Sequence, residues 1–332
     1  MKKIILSFTL IISLMFSTSV FAKDFILNEN QVYVSGETIG LRLNSGVLIT
    51  KMYSVNVNGE TIKPWENANL EIGDVILKVN DVNIISADGL IGALKVNGEK
   101  QCNIQLLRDE QLVSTHITPI SYEGNISLGI YVKDNILGVG TMTFITQEDL
   151  DYASLGHQIA TKVNTDSGYI YKAEVTGVDK SIKGNPGSKK AVIDEGVIGE
   201  IELNTNKGIY GTYTDSIANL DLYYVAAKEE VKKGSAQILT CINGTEVKSY
   251  SIEIISVTLN TSDDIKGIKF KITDEELLNY TGGVIQGMSG SPIIQDGKLI
   301  GAVTHVIVNT PEYGYGLFAE NMLRELDYDI IK

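Results

Sequence analysis

The residues best suited to chemistry fall in one short run, Gly287-Met288-Ser289-Gly290-Ser291-Pro292. Two glycines bracket a serine, a proline follows, and Ile293-Ile294 leads through the turn Asp296-Gly297 to a second apolar run, Leu299 to Val308. The pattern reads as a sharp loop between two strands, with glycine supplying backbone angles that other residues reach only at a cost. A serine hydroxyl at such a tip is a weak nucleophile until a base removes its proton, and the oxyanion that forms needs fixed donors. In a Gly-x-Ser turn the backbone N–H groups of Gly287 and Ser289 can be aimed at one point. An ordinary Gly/Ser-rich hairpin is the alternative reading of the same residues.

The base must come from three histidines. His116 lies in the run joining two strand-rich regions and is expected to be exposed and structural. His305 lies inside the apolar run Gly301 to Val308 and is expected to pack or hydrogen-bond within a sheet. His157, in Ser154-Leu155-Gly156-His157, occupies a glycine turn after the strand-like Thr141 to Ile145, where an imidazole can serve as base. A carboxylate to orient it is sought between the two, and Asp274, fifteen residues before Ser289, is the candidate. Thr273-Asp274 is also a good N-cap for a helix from Glu275 to Asn279. The serine run resembles the Gly-Asp-Ser-Gly-Gly-Pro turn of chymotrypsin-like peptidases, with Met288 in place of the acid and Ser291 in place of a glycine. On that alignment Ser289, not Ser291, is the nucleophile.

The elements that must position these groups read as strands. The chain has 332 residues, 43% of them apolar and 21% charged, enough for one large or two ordinary domains. Glycine outnumbers proline 32 to 5, and short Val/Ile-rich runs end in Asn-Gly, Asp-Gly and Gly-Ser turns. Runs near 128–132, 140–145, 169–178, 197–203, 237–242, 250–259 and 267–272 recur at a spacing that suits a barrel or sandwich. Helical signals are confined to Asp274 to Asn279, Ala319 to Leu326 and a short segment within Val82 to Leu94.

Ahead of this region, residues 36–117 read as a separate β unit. The run Leu70-Glu71-Ile72-Gly73-Asp74-Val75-Ile76-Leu77-Lys78-Val79-Asn80-Asp81 resembles the corresponding stretch of PDZ domains. That resemblance implies a peptide added as a strand beside a sheet edge, its terminal carboxylate held by a glycine-containing loop. The matching loop here is Thr38-Ile39-Gly40-Leu41. The expected organisation is an export segment at 1–22, a connector at 23–35, a PDZ-like domain at 36–117 and a peptidase domain at 118–332. The fold class expected is mostly β, an N-terminal PDZ-like domain followed by a chymotrypsin-like double β-barrel.

Charge and composition narrow the partners. A formal net charge of -13 without a basic cluster disfavours nucleic acid. Three scattered histidines and no cysteine pairs give no metal-ligand cluster, and Gly184 to Gly187 lacks the Lys-Ser/Thr of a phosphate loop, so neither metal nor cofactor is expected. Cys102 and Cys241 sit in apolar runs and read as buried thiols. Lys2-Lys3, the apolar Ile4 to Phe16 and the small-residue ending Val20-Phe21-Ala22 read as an export signal, or as a retained anchor if it is not removed.

Taken together the residues resemble one family, the stage IV sporulation protein B signalling peptidases of endospore-forming bacteria. The resemblance runs through Leu128 to Asp134, Gly138 to Phe144, Leu155-Gly156-His157, Gly184 to Lys190, Gly196 to Glu202, Gln286 to Pro292 and Gly301 to Val306. It implies a catalytic triad of Ser289, His157 and Asp274. It also implies work between the mother-cell and forespore membranes, on an extracytoplasmic part of a membrane-bound regulatory complex whose cleavage leads to late sigma-factor activation. Self-cleavage is implied too. Two other readings are open: a general quality-control peptidase with a PDZ domain, and a binding protein of this fold that has lost catalysis. In quality-control peptidases the PDZ unit usually follows the protease, whereas here it precedes.

Overall fold

The computed structural model describes residues 31–328 apart from 44–45, 58, 110, 135–137, 160–166 and 260–263. The expected export segment lies outside these residues. Among them, no helix is long and apolar enough to cross a membrane.

The molecule is mostly β and contains a closed barrel. Strand Lys298–Val306 pairs with Pro292–Gln295, which pairs with Gly234–Thr240, then Lys248–Val257, Ile268–Ile272 and Tyr313–Phe318. Tyr313–Phe318 pairs back onto Lys298–Val306, with Gly301 opposite Phe318, and the circuit of six strands closes. Alternation builds it: Ile268, Phe270 and Ile272 point inward while Lys269 and Lys271 point out. The interior is filled by Ile238, Ile252, Ile254, Phe270, Ile293 and Val303, all 2% exposed or less.

The same sheet continues through Asp221–Val225 and Gln31–Val34 into a second curl. There Gly138–Thr146 is flanked by Asp151–Ser154 and Thr38–Leu43, which leads on to Gly168–Asp179 and Ser188–Ile201. Bonds from Glu202 N to Tyr210 O and from Thr214 N to Ile198 O bring the end of this path against Gly208–Thr212, so this half also wraps round an apolar interior of Ile39, Leu41, Met142, Tyr152 and Ile170.

A smaller sheet runs in the order Ile130–Asp134, Val47–Met52, Val75–Val79, Cys102–Arg108, Gln111–Ile117. Helix Ala87–Asn97, capped by Ser86 Oγ on Gly89 N, packs Leu90 and Leu94 into its core. The Gly73-Asp74 turn expected from the sequence is anchored by charge: Arg108 reaches both oxygens of Asp74 at 2.7 Å, and Asp74 is 1% exposed.

Three expectations are corrected. Thr38-Ile39-Gly40-Leu41 is not a ligand loop but the start of strand Thr38–Leu43, whose two edges are taken by Gly138–Thr146 and Gly168–Asp179. Its backbone groups are therefore spent on sheet pairing, and a side chain at Gly40 would stand 2.6 Å from Ile193. Gln31–Val34 is a paired strand rather than connector. The smaller unit does not end at 117, because Ile130–Asp134 supplies its edge strand beside Val47–Met52. Both cysteines are buried and unbridged, with burial raising the pKa of each thiol.

Candidate active site

The serine loop sits between the two halves. Gly287 and Gly290 have φ of +91° and +93°, in the left-handed region that favours glycine. Met288 is fully buried in the barrel core, anchoring the tip, and Ser289 at the tip is half-buried. Ser291 is 0% exposed, so of the two serines Ser289 is the accessible one. Among the described residues, neither Gly287 N–H nor Ser289 N–H donates to a backbone carbonyl, whereas Met288 N, Gly290 N and Ser291 N donate to Ile285 O, Val303 O and Met288 O. The two amides expected to meet an oxyanion are thus the two left available.

Thr141, fully buried in strand Gly138–Thr146, ties this loop to the histidine turn. Its N–H donates to Ser289 O, its carbonyl accepts from Leu155 N, and its hydroxyl donates to Gly287 O at 2.7 Å. Leu155 and Gly156 then turn through φ of +68° and +70°. Gly156 packs so closely on the barrel that a Cβ there would lie 2.5 Å from Leu317 and 2.9 Å from Thr304. The turn delivers His157, half-buried, with Nδ1 3.0 Å from Gln158 O. A carbonyl only accepts, so that bond puts the proton on Nδ1 and leaves Nε2 as the basic lone pair. Ser289 Oγ donates to Thr304 O at 3.0 Å, and the ring of His305, the next residue, stands 5.5 Å from the ring of His157. No hydrogen bond joins Ser289 to His157 among the described residues.

The model of the SpoIVB peptidase S55 family matches residues 124–323, more than half of the chain. The chain belongs to the SpoIVB peptidase S55 family. It is a serine endopeptidase. No curated protein matches the sequence. Among solved structures, the inactive form of Rv3671c from M. tuberculosis carrying a serine-to-alanine substitution matches with 17% identity over 56% of this chain and 80% of that one, at a TM-score of 0.31. The Rv3671c protease, also in an inactive form, matches with 18% identity over 57% and 83%, at a TM-score of 0.32.

Within this S55 peptidase no hydrogen bond joins Asp274, the third residue of the expected triad, to His157 among the described residues. Asp274 caps helix Glu275–Thr281, accepting from Leu277 N at 3.0 Å and from Ser251 N at 3.3 Å. His305 is level with Tyr315, and Tyr315 with Lys269, so Asp274 lies five residues further along the chain than the position level with His305, past the end of strand Ile268–Ile272. His116 is exposed on strand Gln111–Ile117, away from the site.

Two residues of the site were not flagged by type or spacing. His305 reads from sequence as a packing residue, and only the strand register brings it beside His157. Lys189 sits in Ser188-Lys189-Lys190, at the end of the run Gly184 to Lys190 that shares in the family resemblance, with no role assigned to it there. It is 6% exposed and donates to the hydroxyls of Thr38, Thr141 and Thr240 at 3.0 to 3.2 Å. Burial without a carboxylate partner pushes its pKa down to about 7. Period-2 alternation from the exposed Lys190 is the one signal that points it inward.

Proposed function

We propose that this S55 peptidase cleaves peptide bonds by acyl transfer, with Ser289 as nucleophile and His157 as general base. The convergence of the serine loop and the histidine turn on Thr141 supports this reading above any other observation. To react, the Ser289 hydroxyl exchanges Thr304 O for Nε2 of His157, as apo sites often tighten only with substrate bound. His157 takes the hydroxyl proton as Oγ attacks the scissile carbonyl, and the N–H groups of Gly287 and Ser289 hold the oxyanion. The imidazolium then protonates the leaving amine, and water repeats the steps to free the acid. Gln158 O holds the Nδ1 proton, the part a carboxylate plays in a triad.

The architecture is read as two barrels of the chymotrypsin kind, with a PDZ-like unit assembled from 47–134 inserted between strands Thr38–Leu43 and Gly138–Thr146 of the first. The substrate class proposed is an extracytoplasmic segment of a membrane-bound regulatory complex in endospore formation, with self-cleavage as a second reaction. What supports it is the set of motifs from Leu128 to Val306, together with the export-type N-terminus. Placement outside the cytoplasmic membrane, between mother cell and forespore, is part of the same proposal.

Incubation with diisopropyl fluorophosphate, followed by mass mapping, is expected to label Ser289 alone. Ser289→Ala should take no label and cleave neither added protein nor itself, with an unchanged melting temperature. Cleavage by the alanine variant at the wild-type rate would remove the assignment.

A further inference from the structure

Lys189 touches nothing that reacts, yet it holds both peptide planes that meet at Gly287. Its backbone N–H donates to Gln286 O at 2.9 Å, and Gln286 N donates in turn to Gly187 O at 2.8 Å. In a trans peptide the N–H points opposite to the carbonyl, so fixing Gln286 O toward the strand Ser188–Ile201 turns Gly287 N–H the other way. The next plane is held through the side chain. Lys189 Nζ donates to Thr141 Oγ1 at 3.2 Å, and Thr141 Oγ1 donates to Gly287 O at 2.7 Å. In its ammonium form Lys189 has three protons and no lone pair, and it meets three hydroxyls, so in that form each hydroxyl accepts from it and passes its own proton outward. For Thr141 the outward acceptor is Gly287 O. The lysine stem also packs on Gly287, 3.0 to 3.1 Å from where a Cβ would stand, which keeps that position glycine.

We infer that Lys189 is a positioning residue for the oxyanion hole, acting through Thr141 and Gln286 to keep Gly287 N–H aimed at the reacting carbonyl. The inference rests on the reading of Ser289 as nucleophile. Burying an amine among neutral partners opposes stability, and no carboxylate pairs with it among the described residues; burial correspondingly depresses its pKa. A purely structural residue at this place would be better as an apolar one, whereas the three threonine hydroxyls are arranged to meet a lysine.

The test is the rate of phosphorylation of Ser289 by diisopropyl fluorophosphate, whose P=O oxygen must occupy the same hole, read by intact mass. Lys189→Met keeps the stem and removes the protons, and Thr141→Val keeps the shape and removes the relay hydroxyl. Each is expected to lower the maximal inactivation rate on the order of tenfold or more, with half-saturation by the reagent within about twofold. Lys189→Met should keep its melting temperature, and Thr141→Val, which leaves Lys189 Nζ and Gly287 O each one partner short, should melt lower yet stay folded. The double variant should be no slower than the slower single, because both break one chain. Should Lys189→Met fail to fold, Thr141→Val alone decides. Wild-type labelling rates in the folded variants, or losses that multiply in the double variant, overturn the inference while Ser289→Ala still takes no label. Peptide cleavage by Ser289→Ala overturns the underlying reading instead.

Discussion

The serine loop and the start of helix Glu275–Thr281 lie close in sequence and present the two oxygen-bearing side chains that the family resemblance marks, yet they are built in opposite ways. Around Ser289, bonds arrive from three other segments, Thr141 and Thr143 on one strand, Val303 and Thr304 on another, and Gly187 to Lys189 on a third. Around Asp274 the carboxylate is spent on two backbone amides, one of them three residues away in its own helix. A loop held by distant strands has its geometry set by the whole fold, so small changes there should cost function. A cap held by its own turn and by one residue of the neighbouring strand, Ser251, is a simpler device whose loss should cost a little stability.

The largest expected effect is at Gly290. A Cβ there would lie 1.9 Å from Thr141 O and 2.5 Å from Leu155 N, at a φ of +93°. Gly290→Ala must push the serine loop and the histidine turn apart at their common support. It is expected to cost more than about 3 kcal/mol in urea unfolding and to abolish labelling of Ser289. A folded, fully labelled alanine variant would mean that the loop is far softer than its contacts imply. Next comes His157→Gln, which keeps the turn and removes the base. Peptide hydrolysis should fall at least about 10³-fold with the melting temperature held. A loss below about tenfold would transfer the role of base to another group, with His305 the neighbour to test.

How much of this was legible follows from what kind of constraint each residue obeys. Ser289 and His157 could be read because their chemistry demands turns, and turns are written locally in glycine. Gln158 O, which fixes the imidazole proton, is a backbone atom with no sequence signature. Lys189 was hidden because a lysine beside a lysine on a strand looks solvated from either face. The segment Thr38-Ile39-Gly40-Leu41 reads equally well as a glycine loop and as a barrel strand. Long-range pairing with Gly138 to Thr141 and with Gly168 to Lys172 decides between them. Ile130–Asp134 then fills the edge of the small sheet beside Val47–Met52, so the boundary drawn at 117 cuts through a unit that the fold completes thirteen residues or more later.

The smallest effect separates the two regions most sharply. Asparagine caps a helix about as well as aspartate, since either side-chain oxygen accepts from the amide three residues on, whereas alanine cannot. If Asp274 is a cap, Asp274→Ala should cost about 1 kcal/mol in urea unfolding, and Asp274→Asn a few tenths. Both should label at Ser289 within about twofold of the wild-type rate, because the imidazole draws its orientation from Gln158 O and not from the Asp274 carboxylate, which accepts from Leu277 N and Ser251 N. An acid that orients the imidazole behaves otherwise. Asparagine would then be nearly as damaging as alanine to the labelling rate, with little change in stability, because the amide keeps the cap but cannot hold the imidazolium. A loss of two or more orders of magnitude in the stable Asp274→Asn protein would therefore show that the helix start and the histidine turn come together in the working enzyme. The contrast between a globally held loop and a locally held cap would then belong to the resting state only.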